Sequence, residues 1–99
     1  MLDNLETDFP QYEPRPNAAP LALEGIRVVD FTHFIAGPFA TMILADMGAD
    51  VIKIEAPERG DDFRQYPPFN RELGLAAPFL WSNRNKRSLA IDLKSAEGL

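Results

Sequence analysis

The 99-residue sequence has no cysteine and a single histidine, His33. The absence of cysteine excludes disulfides and cysteine-ligated metal sites, and it suits a cytoplasmic protein. No apolar run approaches the ~20 residues that cross a bilayer, and no basic region followed by an apolar core opens the chain. The sequence therefore predicts neither a membrane association nor a secretory signal.

An excess of positive charge is also lacking. The chain has 10 Lys and Arg against 15 Asp and Glu, a formal net charge of -5 and a pI of about 4.7. This balance argues against a general nucleic-acid-binding protein, which usually carries a basic surface. The hydrophobic fraction of 45% is that of globular material, and the length fits one small domain or part of a larger one.

Residues 1–22 contain prolines at a spacing that neither a helix nor a strand tolerates: Pro10, Pro14, Pro16 and Pro20. We expect this segment to be an extended or disordered arm. Residues 23–99 then form the folded part of the chain, which we interpret as the N-terminal, incomplete part of a larger Rossmann-like domain.

The folded part begins with a strand, a helix and a second strand. The first apolar run, at residues 26–31, predicts a strand buried on both faces. After Gly37 and Pro38 the pattern becomes helical, with Pro38 at the first helical position and Gly48 at the end of the helix. The residues that this helix should place on one face are Phe39, Met42, Ile43 and Met47. A second strand at residues 51–55 completes a βαβ unit.

The second half of the chain predicts a loop, a short helix and a third strand. Residues 56–75 are charged and interrupted by proline and glycine, residues 76–82 could form a helix, and residues 88–93 alternate as a strand does. Ser95 then resembles the N-cap of a further helix. The fold class is therefore α/β, a Rossmann-like βαβ segment that we expect either a longer chain or a partner to complete.

The turn between the first strand and the helix is the first candidate site. A dinucleotide-binding turn needs three glycines, and residues 32–39 contain Gly37 alone. Pro38 also removes one amide that would face an anion. We therefore do not expect orthodox NAD or FAD binding, and Glu55, at the place of the ribose-binding acid, is expected to be a solvated strand-end carboxylate.

Other charged residues give weaker signals. His33 has no evident carboxylate partner and is expected to be structural or solvent-facing. The adjacent Asp61 and Asp62 are expected to be solvated rather than to bind a metal. Arg84, Lys86 and Arg87 form a basic cluster, which is either a solvated run of charges or a polyphosphate site. Lys94 adds a fourth cation at the end of the third strand.

Taken together, five stretches resemble one known family in their order and spacing. They are LEGIRVVDFT at residues 23–32, AGPFAT at 36–41, LADMGADVIKIE at 44–55, GD at 60–61 followed by Arg64, and NRNKRS at 83–88 followed by IDLK at 91–94. This pattern resembles the N-terminal segment of the family III CoA-transferases, the family of formyl-CoA and carnitine-CoA transferases. The resemblance covers residues 23–99.

The resemblance implies an activity and an assembly. Members of this family move CoA from an acyl-CoA to a free carboxylic acid, and a catalytic aspartate forms a mixed anhydride and then an enzyme-bound thioester. They use coenzyme A as a substrate and no metal, and they form interlocked homodimers. The position that matches the catalytic aspartate lies beyond residue 99, so no catalytic residue is expected in this chain.

The resemblance also implies which residues contact CoA. The matching positions are Ile35 and Ala36 in the turn, and Ile91, Asp92, Leu93 and Lys94 after the third strand. The sequence departs from the family at Ala56, where a cation is usual, and Arg59 or Arg64 could replace it.

Two alternatives stay open. A racemase branch of the same family acts on 2-methylacyl-CoA esters and tends to have glycine at the position of Asn85, which favours transfer here. The chain could also be a non-catalytic CoA-binding or assembly module, truncated or completed by a second chain.

Overall fold

The computed structural model of the protein describes residues 14–99. Five strands, two α-helices and one 3-10 helix follow one another in this part of the chain. In chain order they are β1 (Arg27–Asp30), α1 (Ala36–Asp46), β2 (Asp50–Glu55), the 3-10 helix (Asp62–Gln65), β3 (Phe69–Asn70), β4 (Leu75–Ala76), α2 (Ala77–Asn83) and β5 (Lys86–Ala90).

A parallel three-stranded sheet is the centre of the fold, with strand order β1-β2-β5. β1 pairs with β2 so that Val28 lies opposite Val51, and β2 pairs with β5 so that Lys53 lies opposite Ser88. Helix α1 connects the first two strands. The predicted βαβ unit and the α/β class are thereby confirmed.

The sheet is covered on one face within the described residues. Asp30 on β1, Lys53 on β2 and Lys86 on β5 point toward α1 and α2, since Lys86 Nζ donates to the Pro38 carbonyl of α1 and to Asn83 Oδ1 of α2. The opposite face is open. It exposes the apolar side chains of Val29, by 54%, and Leu89, by 46%, and at one end it carries Asp50 paired with Arg27 and Arg87. The prediction that the first strand is buried on both faces is wrong for this part of the chain, because no described element covers that second face.

Helix α1 has the predicted position but a different buried face. It begins at Ala36, so Pro38 is the third helical residue rather than the first, where its missing N–H still costs no intrahelical bond. Gly48 follows the helix with φ 101, as predicted. Of the four residues expected on the buried face, Met42 is buried, but the other three are about two-fifths exposed: Phe39, Ile43 and Met47. Pro38 and Ala45 complete the buried face instead.

Residues 56–75 are more ordered than the predicted loop. They contain the 3-10 helix, and β3 and β4 pair as a short antiparallel hairpin. A small apolar core of Phe63, Ala76 and Phe79 joins this segment to α2. The sequence did not predict this packing, because only three apolar side chains form the core and many prolines and charges surround them.

The two ends of the chain differ from expectation to different degrees. The predicted third strand is present but ends at Ala90, and Ser95 begins turns rather than a helix. Ser95 Oγ accepts from the Gly98 amide as an N-cap would, but the Gly98 amide bonds to the Ser95 carbonyl, three residues back, as in a turn. Glycine is also a weak helix former. Of the predicted arm, residues 1–13 lie outside the described residues, and residues 14–22 contain neither helix nor strand.

Candidate functional site

A cleft opens where the three parallel strands end. It has a volume of 240 Å³, and it is lined by Phe31, His33, Ile54, Glu55, Ala56, Ile91, Leu93 and Lys94. Open α/β sheets place ligands at the carboxyl ends of their strands, so the position of this cleft is the one that the fold favours. Its volume lies below the ~300–1,000 Å³ of a complete small-molecule site, and it therefore suits part of a large ligand.

Three of the six predicted CoA-contact residues line this cleft, namely Ile91, Leu93 and Lys94. Asp92 lies between them, exposed, and its Oδ1 accepts from the Lys94 amide at 2.9 Å. Ile35 precedes the first residue of α1, Ala36, and both are exposed beside the cleft-lining segment rather than within the lining set. No ligand contact tests any of these six positions, which stay predictions.

His33 is better placed than its sequence suggested. It lines the cleft with about half of its side chain exposed, and its Nδ1 lies 3.7 Å from Asp61 Oδ1. The half-exposed side chain agrees with the expected solvent-facing position, but the loop after β2 also brings a carboxylate 28 positions away to its side, which local spacing did not reveal. The next residue, Phe34, has φ 64, a conformation that bulky side chains rarely adopt.

Asp61 is fully buried, so the expectation of a solvated carboxylate is wrong. Its Oδ1 accepts from the amides of Phe63 at 2.9 Å and Phe34 at 3.3 Å. Its Oδ2 lies 2.8 Å from Lys53 Nζ, an ionic contact outside the angles of a good hydrogen bond. Burial by itself raises the pKa of Asp61, but Lys53 and the two amides outweigh it and lower that pKa.

Glu55 is also buried rather than solvated. Arg64 binds both of its carboxylate oxygens at 2.7 Å, Ser88 Oγ donates to Oε2, and the Asp61 amide donates to Oε1 at 2.9 Å. The hydrogen bond from Arg64 is the main cause that lowers the pKa of Glu55 to about 2, against the opposing effect of burial. Arg64 also lies 3.9 Å above the Phe79 ring. Arg64 is thus committed to the fold and is a poor replacement for the cation missing at Ala56.

The basic cluster is paired within the chain. The side chain of Lys86 is buried, and its Nζ lies 3.1 Å from Asp30 Oδ2. Arg84 and Arg87 pair at 2.7 Å with Asp46 and Asp50 at the surface. Neither a solvated run nor a polyphosphate site describes Lys86. Burial is the largest cause that lowers the pKa of Lys86, and Asp30 opposes it.

Asn85, in the same stretch, has φ 63. Glycine and asparagine are both enriched in that conformation. The residue type at position 85 therefore reflects the turn and discriminates weakly between transferase and racemase.

Two further classes of site have no support in residues 14–99. No group of three or more potential metal ligands comes together there. Neither described helix has the length and apolar content that crossing a membrane would take.

Comparisons with known proteins now bear on this geometry. The family model described as CoA-transferase family III matches residues 23–99. The chain belongs to this family. The match begins at the residue where the folded part was predicted to begin, and the predicted resemblance is confirmed.

Relatives and a solved structure agree with this assignment. The chain is 51% identical over 97 residues to a succinate–glutarate CoA-transferase of Agrobacterium fabrum, covering 93% of this chain and 22% of that protein. It is 39% identical over 90 residues to the alpha subunit of a succinyl-CoA–L-malate CoA-transferase of Chloroflexus aurantiacus, covering 91% and 21%. The crystal structure of a CAIB/BAIF family protein from Brucella suis superposes with a TM-score of 0.73 at 44% identity, over 81% of this chain and 22% of the other.

The chain thus spans about a fifth of the length of the relatives it matches. The sequence did not reveal three members of the site region: His33 as a cleft residue, Asp61 as its neighbour, and Lys53 as the ion-pair partner of Asp61. One signal could have found the ion pair. Lys53 lies among apolar residues in a strand predicted to be buried, and a buried lysine needs an acidic partner.

Proposed function

We propose that this chain is the N-terminal segment of a CoA-transferase that moves CoA from an acyl-CoA to a free carboxylic acid. The observation that carries the proposal is the cleft at the strand ends of a family III chain, lined by Ile91, Leu93 and Lys94. The apolar side chains would contact the uncharged parts of CoA, and the Lys94 ammonium would face a phosphate. Ile35 and Ala36 would contact CoA from the neighbouring turn.

The chemistry itself requires a carboxylate outside this chain. The nucleophilic aspartate attacks the thioester carbonyl, and CoA thiolate leaves as a mixed anhydride forms. The thiolate then attacks the aspartyl carbonyl and releases the first acid, which leaves an enzyme-bound CoA thioester. The acceptor acid reverses the two steps and departs as the new acyl-CoA. The three buried carboxylates described above are committed to ion pairs within the fold and are not candidates for this nucleophile: Asp30, Glu55 and Asp61.

We further propose that the acids exchanged are short dicarboxylic acids. The names of the two relatives above specify succinate, glutarate and L-malate, each of which has two carboxyl groups. The residues that would select the second carboxyl group are expected outside the 99 residues, because the cleft described here is assigned to CoA.

The test uses the complete protein that carries this segment. Succinyl-CoA is mixed with glutarate, L-malate or a monocarboxylic control such as butyrate, and the CoA esters are separated by chromatography. We expect new esters from the dicarboxylic acids. Incubation with succinyl-CoA alone should add the mass of CoA to the protein, and hydroxylamine should remove it. A protein that yields no new ester and no adduct with any acid would refute the proposal.

The same assay separates the alternatives. A racemase would exchange the α-proton of a 2-methylacyl-CoA with deuterium from solvent and would make no new ester. A non-catalytic module would bind CoA without either reaction. We expect the isolated 99-residue chain to be inactive, because the nucleophile is expected outside it. Turnover by this chain alone would place the nucleophile within these residues.

The state of the protein in the cell is part of the proposal. An interlocked homodimer, or completion by a second chain, would cover the open face of the sheet, on which Val29 and Leu89 are exposed. Cytoplasmic localisation suits the lack of cysteine. Light scattering of the complete protein would measure its oligomeric state.

A further inference from the structure

A buried ion pair, formed by Lys53 and Asp61, contacts the turn between β1 and α1, where Asp30 also binds the Thr32 amide and hydroxyl. Lys53 Nζ donates to the Thr32 carbonyl at 2.8 Å, and Asp61 Oδ1 accepts from the Phe34 amide at 3.3 Å. The two charged groups lie 2.8 Å apart. One ion pair therefore contacts the backbone on both sides of His33, immediately before the two residues assigned to CoA.

This arrangement is closed to solvent. The exposed fraction is 2% for Lys53 and 0% for Asp61. Burying two charges is costly, and apolar residues of similar volume often serve stability as well. Stability alone therefore does not explain these charges, and the backbone that they contact gives a further reason for them.

What they hold is a strained piece of backbone. Phe34 adopts φ 64, which is unfavourable for an aromatic residue and persists only where surrounding contacts enforce it. The Phe34 ring packs against Phe63 and Tyr66, with centroids 6.0 and 6.1 Å away. The hydrogen bond from the Phe34 amide to Asp61 adds a contact to the backbone itself, beyond the contacts of the ring.

We propose that Lys53 and Asp61 are positioning residues, which hold the turn at residues 32–34 so that Ile35 and Ala36 are presented to the CoA ester. This inference rests on the proposed function, because it assumes that the turn meets CoA. The pair acts through Thr32 and Phe34 and has no contact with the ligand of its own.

The experiment compares two neighbouring aspartates in the complete protein. Asp61→Ala removes the acceptor for the Phe34 amide, whereas Asp62→Ala, the matched control, removes a carboxylate that pairs with Arg59 at the surface. For Asp61→Ala we expect the KM for the acyl-CoA to rise on the order of tenfold, which is the effect of losing one hydrogen bond to a charged group. We expect Asp62→Ala to leave KM unchanged.

The split between KM and kcat separates positioning from stability. A purely structural role lowers the folded fraction, which reduces the apparent kcat but leaves the KM of the folded molecules as it was. The conservative variant Asp61→Asn keeps an oxygen for the Phe34 amide, and we expect it to restore most of the KM. The inference is wrong if folded Asp61→Ala keeps the KM of the unmodified protein, or if Asp61→Asn is as defective as Asp61→Ala.

A second variant covers the case in which Asp61→Ala does not fold. Lys53→Met keeps about the length of the side chain but loses the contact with the Thr32 carbonyl, so it should raise the KM for the acyl-CoA. Asp62→Ala remains the control. Hydrogen exchange of the peptide covering residues 31–37 should accelerate in the same variants. Folded Lys53→Met with unchanged KM and unchanged exchange contradicts the inference.

The two proposals fail differently. If the unmodified protein transfers no CoA, the proposed function fails, but accelerated exchange at residues 31–37 in Asp61→Ala still shows that the pair holds the turn. If the unmodified protein is active and every variant keeps its KM, the positioning role alone fails.

Discussion

At the scale of single residues, the unusual feature is the number of charges buried between the sheet and its helices. Asp30, Lys53, Glu55 and Asp61 are each no more than 4% exposed. Each carboxylate has a cationic partner and at least one further donor, which is the condition for burying a charge without a large penalty. The helix-covered face of this sheet thus combines these polar contacts with a small apolar core of Ala45, Ala49 and Val51.

Acid should unfold the protein through two of these carboxylates. Burial tends to raise the pKa of Asp30, but hydrogen bonds from Thr32 and Thr41 and from Lys86 outweigh it and lower that pKa to about 2. Glu55, bound by Arg64, also has a pKa of about 2, whereas the ordinary values are 3.8 and 4.5. A lowered carboxylate pKa stabilises the folded state above the unfolded pKa, and this stabilisation is lost as the pH falls through the folded pKa.

The free energy of unfolding should therefore decrease steadily from about pH 4.5 to pH 2, by on the order of 1–3 kcal/mol for each site. Urea titrations at a series of pH values measure this decrease. Asp30→Asn lowers stability at neutral pH, and it should also flatten the decrease because one of the titrating groups is gone. Equal unfolding free energies at pH 5 and pH 2.5 would show that these ion pairs do not stabilise the fold.

At the scale of elements, periodicity predicted the regular structure well where a strand or helix has its own apolar pattern. The βαβ order, helix α1 and the short helix α2 follow from the sequence. The buried face of α1 did not, because Phe39 and Ile43 are apolar yet face outward, and Phe39 stacks on Trp81 with ring centroids 5.4 Å apart. The site was less predictable still. Asp61 meets Lys53 and Phe34 only through the path of a loop, and no local spacing encodes that path.

The start of α1 depends on a close approach that glycine alone permits. A Cβ on Gly37 would lie 2.5 Å from both Cβ and Cγ2 of Thr32. Thr32 cannot easily move, because its hydroxyl donates to the buried Asp30 carboxylate at 2.5 Å. Gly37 is therefore required by packing, although a glycine inside a helix normally costs about 1 kcal/mol relative to alanine.

Gly37→Ala should consequently destabilise the protein, by about 1–3 kcal/mol as overpacking does, against the gain that helix propensity alone predicts. Thermal unfolding measures the sign. Ala40→Gly, at an exposed position of the same helix, serves as the control and should lose about 1 kcal/mol from propensity. A higher melting temperature for Gly37→Ala would mean that the turn can move away from the helix.

At the scale of the whole molecule, two surfaces remain open in residues 14–99, the apolar face of the sheet and the cleft at the strand ends. Parallel sheets are normally covered on both faces, and this chain spans about a fifth of its relatives. The open face, which includes Val29 and Leu89, is therefore expected to be covered in the complete protein. The cleft differs from that face because charged groups surround it: Glu55 and Lys94, with His33 between β1 and α1.

Lys94 provides the direct test of this cleft as a CoA site. It is exposed, it lines the cleft, and among the described residues no carboxylate pairs with its side chain. If it faces a CoA phosphate, Lys94→Ala in the complete protein should raise the Kd for CoA on the order of tenfold, as expected for a lost charge-assisted contact. Calorimetry measures this Kd, and the loss of affinity should be smaller at high salt because salt partly screens the contact.

Arg71→Ala, which removes an exposed cation from the β3–β4 hairpin, is the control and should leave the Kd unchanged. Equal affinities of Lys94→Ala and Arg71→Ala would instead assign Lys94 to a solvated turn after β5 and move the phosphate contact to residues outside this chain.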